Sequence, residues 1–105
     1  MGLPTTFFTS PEVQGREVTL PDGTKHTLYF KELPAVEFRK FQMAETSEDE
    51  DVRAASVAKL IAASMVEQDG KPAITAKQAA QLKGSAANAL MSAILDVNGF
   101  GSKND

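Results

Sequence analysis

A chain of 105 residues is long enough for one domain that buries roughly two-thirds of the surface exposed when unfolded. It contains no cysteine, which excludes a disulfide framework, a thiolate metal site and a cysteine nucleophile. A formal charge of −3 without any basic cluster argues against a nucleic-acid partner, and the longest apolar runs are too short and too alanine-rich to make a membrane one.

Residues 1–15 hold two prolines, several threonines and the pair Phe7-Phe8 without usable periodicity; they read as an irregular N-terminal arm. Residues 16–100 read as a single α+β domain, an N-terminal β-hairpin followed by a bundle of about four α-helices. The hairpin is expected over 17–30. Its two runs, rich in Val, Thr, Tyr and Phe, flank Pro21-Asp22-Gly23-Thr24, where proline presets φ and glycine supplies a positive-φ position. Val18, Leu20, Leu28 and Phe30 would form its packed face, and Thr19, Lys25, Thr27 and Tyr29 the wetter one. His26, the only histidine, alternates onto the face of Leu28 and Phe30 and is expected to be partly covered.

Pro34 suits the first position of a helix over about 34–46, where its missing N–H would be unpaired anyway; Phe38 and Phe41 anchor its inner face. Ser47 and Glu50 have capping-box spacing for a second helix over about 48–66, and the acidic run Glu48–Asp51 then faces the positive end of the helix dipole. Ten of the thirteen residues from Ala54 to Val66 are apolar, so this helix should be buried on several sides. Asp69-Gly70-Lys71-Pro72 breaks it. Thr75 and Gln78 form a second capping box for a short helix over about 76–83. Gly84 either ends that helix or is tolerated inside a longer one, and Ser85 would cap a fourth over about 85–97. From Gly84 to Leu95 there is no charged residue, and Ser85, Asn88 and Ser92 alone are polar. They fall on one narrow stripe, the pattern of a helix covered nearly all round. Asn98-Gly99 stops it, and residues 101–105 read as a flexible tail.

Chemistry-bearing patterns are absent. No serine sits in a nucleophile elbow, no H-E-x-x-H occurs, and no glycine-rich loop joins a strand to a helix as a phosphate cradle. Glu67-Gln68-Asp69-Gly70 lacks the alternating carboxylates and closing glutamate of a calcium loop. No catalytic, cofactor or metal residue is expected. The alternative to chemistry is contact. Helices two and four would form an apolar pair, with the hairpin and helix one bracing one side. Part of the other side would be open to a client or a second copy; Leu60, Met65, Leu90, Met91 and Ile94 are the candidates for that surface.

The order of signals carries a resemblance. V-T-L-P-D-G-T-K-H-T-L-Y-F is followed by E-L-P-A-V-E-F, an alanine-rich helix ending A-A-S-M-V-E-Q-D-G-K-P, then I-T-A-K-Q-A-A-Q-L and a closing A-I-L-D-V-N-G. From Glu17 to Gly99 this resembles the small tail assembly chaperones of long-tailed bacteriophages. The resemblance implies a non-enzymatic protein of the infected host cytoplasm, not carried in the mature virion. It further implies that the protein binds and solubilises the tape measure protein and helps recruit tail tube subunits, in some cases beside a longer form made by programmed frameshift. Self-association is a further expectation from the apolar helices. A structural tail or neck component of the virion, using the same helices for permanent contacts, is the competing expectation.

Overall fold

The computed structural model describes residues 2–100; the expected tail at 101–105 lies outside them. Strands β1 (Val13–Thr19) and β2 (Lys25–Lys31) pair antiparallel, Val18 opposite His26 and Gln14 opposite Phe30. The connecting turn follows the sequence chemistry: the Gly23 N–H donates to the Leu20 carbonyl (2.9 Å), Gly23 takes φ +90°, and the Asp22 carboxylate accepts from the Thr24 N–H and hydroxyl at 2.9 and 2.6 Å. Val18 and Phe30 are buried and Leu28 is half-buried. The strand starts at Val13, so three residues expected in the arm belong to the sheet. His26 is exposed, 3.2 Å from the Thr24 hydroxyl, and not partly covered as expected. It sits at the turn end of β2, one residue from the start of the strand.

Helix α1 spans Ala35–Glu45, with Pro34 as its extended N-cap and not its first helical residue. Helix α2 spans Glu50–Ser64 and is capped by Asp49, whose carboxylate accepts from the Asp51 N–H. The Ser47–Glu50 capping box does not form. Ser47 instead accepts from the Asp49 N–H (3.1 Å), presenting Asp49 as the cap, while Glu50 and Asp51 fall in the first turn at the positive end of the helix.

The largest departure follows α2. Met65 and Val66, expected in the helix, form β3, which pairs antiparallel with β2 through Tyr29 and Phe30. The hairpin thus becomes a three-stranded sheet of order β1-β2-β3. Glu67 N–H to Lys71 carbonyl (2.7 Å) and Ala73 N–H to Met65 carbonyl (3.2 Å) turn the chain back beside it. Helix α3, Ala76–Ala79, carries the expected Thr75/Gln78 capping box but is shorter than expected. Helix α4, Gly84–Val97, begins at Gly84 after Lys83, so Ser85 is inside the helix and is not its cap.

Helix α4 packs on β1, β2 and α2. Its Asn88, Ser92 and Asp96 are exposed, while Leu90, Ile94 and Val97 are buried. The helix, uncharged from Gly84 to Leu95, therefore packs its buried side against β1, β2 and α2 of its own chain. Its end is a Schellman motif: Phe100 N–H to Leu95 carbonyl at 2.7 Å and Gly99 N–H to Asp96 carbonyl at 3.1 Å, with Gly99 at φ +82°. Asn98 adds a latch, accepting from the Leu33 N–H and donating to the Ile94 carbonyl, both at 2.8 Å. The one fully buried polar side chain among the described residues, Ser64, donates to the Lys31 carbonyl (2.9 Å), so its burial leaves no donor unpaired.

Candidate binding surface

The five residues expected on an open face divide sharply. Leu60, Met65, Leu90 and Ile94 are only 0–8% exposed, and Met91 is half-buried against the same core. The reason is topological. Met65 lies in β3, the strand of the sheet that directly follows α2, and Leu90 and Ile94 are buried residues of α4, which packs on β1, β2 and α2.

Apolar surface is nevertheless exposed elsewhere. Val36, Met43 and Val52 are 55%, 67% and 42% exposed. Val36 and Met43 stand seven residues apart on α1, hence on one side of that helix, and Val52 sits in the first turn of α2. Between the two helices runs an open groove of about 360 Å³. Phe41 and Ala44 of α1 and Val52, Ala55 and Leu60 of α2 give it an apolar lining, and Glu37, Lys40, Asp51 and Lys59 line it as well. Leu60, one of the five expected residues, thus forms part of the groove's floor. Lys40 lies 3.9 Å from Glu37. Two cations and two anions balance formally, so the groove favours an apolar segment over a strongly charged one. On the other flank of α1, Val36, Phe38 and Phe100 line a second depression of about 390 Å³, where the Phe38 and Phe100 rings meet at 5.0 Å and 56°.

Val36, Met43 and Val52 were not recognised from sequence as binding residues. Val36 stands two residues before Phe38 and resembles a member of its inner face; Val52 hides inside the acidic start of α2. The usable signal was the seven-residue spacing of Val36 and Met43, off the Phe38–Phe41 face.

Nothing in this surface is arranged for catalysis. Among the described residues no group of three or more His, Cys, Asp or Glu side chains could hold a metal ion. Asp22, whose carboxyl is held below the usual carboxylate range by the Thr24 hydroxyl and then its N–H, sits at the hairpin turn and caps it. No helix among the described residues is long and apolar enough to cross a membrane.

Comparison with protein families finds one match covering nearly all of the chain: the model described as phage tail assembly chaperone matches residues 6–98. Neither the curated proteins nor the solved structures gave a significant match.

Proposed function

From the premise that the chain belongs to the phage tail assembly chaperone family, and so is a non-catalytic assembly factor, we propose that its client is the tape measure protein, held by the α1–α2 surface. The observation that carries this reading is the apolar groove floored by Phe41 and Leu60 and lined by exposed Val52, together with exposed Val36 and Met43 elsewhere on α1. A long helical client that exposes apolar side chains before the tube closes round it needs a cover of this type. Helix-in-groove binding supplies one, reading anchors at i, i+3/i+4 and i+7. Leu60 acts here from the floor, and Met65, Leu90, Met91 and Ile94 act by holding α2 and α4 in place behind it. Shallow, mixed-charge rims suit transient holding, compatible with handing the client to tail tube subunits and with absence from the finished particle.

The test is co-expression with the tape measure protein. Met43→Asp with Val52→Asp should leave the chaperone folded and send the client to the insoluble fraction. A double variant that keeps the client as soluble as wild type would remove this surface from the function. Purified particles should contain no stoichiometric copy of the chain by mass spectrometry.

A further inference from the structure

The end of α4 holds a reactive pair in an unreactive pose. Asn98 is the one asparagine in the chain followed by glycine; Asn88 precedes Ala89 and Asn104 precedes Asp105. In an asparagine-glycine pair the following backbone nitrogen reaches the side-chain amide carbon most easily, because glycine has no Cβ to obstruct the approach. Here the atoms of that reaction are all engaged. The Asn98 Oδ1 accepts from the Leu33 N–H and the Nδ2 donates to the Ile94 carbonyl, both at 2.8 Å, which fixes the amide carbon between them. The Gly99 N–H, whose nitrogen would attack, donates to the Asp96 carbonyl at 3.1 Å. The Asn98 backbone lies at φ −94° and ψ 10°, far from the rotation that brings the Gly99 nitrogen onto its side chain. The Phe100 ring, 5.0 Å from that of Phe38, pins the next residue. Asn98 is half-buried and Gly99 exposed, so water is at hand once these bonds let go.

We propose that Asn98 is a site of spontaneous deamidation, which the folded protein keeps closed and an opening of the α4 end exposes. With the Schellman turn released, the Gly99 nitrogen loses its proton to water and bonds to the Asn98 Cγ; the Cγ–Nδ2 bond breaks and ammonia leaves. Water then opens the five-membered imide at either carbonyl, giving aspartate at position 98 or its β-linked isomer. The balance is asparagine plus water to aspartate plus ammonia, with water the only co-reactant. The product cannot rebuild the latch. A carboxylate accepts but does not donate, so it can meet the Leu33 N–H but repels the Ile94 carbonyl, and its charge stands at the negative end of the helix. The β-linked isomer also adds a carbon to the backbone, which shifts Gly99 and Phe100 out of the spacing that the Schellman bonds need. Conversion is therefore one-way: a copy whose α4 end opens for long enough keeps that end loosened, along with its tie to Leu33. This inference stands apart from the α1–α2 surface and from the client that surface takes.

Peptide mapping by mass spectrometry of the full chain, incubated at mildly alkaline pH, tests it. In guanidinium chloride Asn98 should convert well before Asn88. In native buffer Asn98 should convert more than about tenfold more slowly than in guanidinium, because only the open fraction reacts. Phe100→Ala, which frees the helix end from Phe38 without altering the reacting atoms, should speed conversion severalfold in native buffer and leave the rate in guanidinium unchanged. Wild type in sub-denaturing guanidinium gives the same reading without a substitution: the rate should rise before the global transition. Asn98→Asp, standing for the product, should lower the denaturation midpoint. Equal rates in the folded and unfolded chain, conversion of Asn88 ahead of Asn98 when unfolded, no acceleration by either Phe100→Ala or sub-denaturing guanidinium, or an Asn98→Asp midpoint equal to that of wild type would each overturn the proposal.

Discussion

At the scale of single residues, burial decides which apolar side chains serve the core and which face outward. Ile94 is fully enclosed and Leu90 nearly so. An aspartate at either site would put an unpaired carboxylate among apolar neighbours, at a cost above about 4 kcal/mol, comparable to the whole stability of a small domain. Ile94→Asp should therefore lose its cooperative urea transition, whereas Met43→Asp should melt within about 0.5 kcal/mol of wild type. Asn98 serves two backbone groups at once; Asn98→Ala strands the Leu33 N–H, and the denaturation midpoint should report a loss of about 1–3 kcal/mol. Asp22 gives a pH signature. Its folded pKa lies below the unfolded value because Thr24 donates to the ionised form, so its contribution is complete above the unfolded value and disappears as pH falls through the folded one. In acid titrations followed by NMR, the hairpin shifts of wild type should move in that window and those of Asp22→Asn should not.

At the scale of elements, local chemistry was legible wherever a turn or cap had its own residues. Alternation around Pro21-Asp22-Gly23 marked β1 and β2, Thr75 and Gln78 marked the start of α3, and Asn98-Gly99 marked the end of α4. The join between α2 and β3 was not legible. Met65 and Val66 continue the apolar texture of the helix, and a two-residue strand has no period; only its pairing with Tyr29 and Phe30 distinguishes it. The start of α2 offered four consecutive acidic residues after a serine, and the capping-box spacing favoured Ser47 where the backbone selects Asp49. That difference is measurable: Asp49→Ala should cost about 1 kcal/mol of stability in chemical denaturation, while Glu50→Ala should cost much less, since Glu50 makes no return bond to Ser47.

At the scale of the whole molecule, the sequence suggested that the apolar surface of α2 and α4 exceeds what the chain hides, whereas Leu60, Met65, Leu90 and Ile94 are enclosed. Apolar texture looks alike whether a helix is a post or a face. The difference lies in what the other elements cover, and α4 is covered by β1, β2 and α2, a packing that periodicity alone does not reveal. The surplus instead lies on α1, the first turn of α2 and the arm, where single apolar residues stand among charges. The most direct measurement is amide hydrogen exchange of the full chain with and without a helical tape measure segment. The account predicts new protection across residues 35–45 and 50–60, with α4 unchanged; protection confined to α4, or none on α1 and α2, would contradict it.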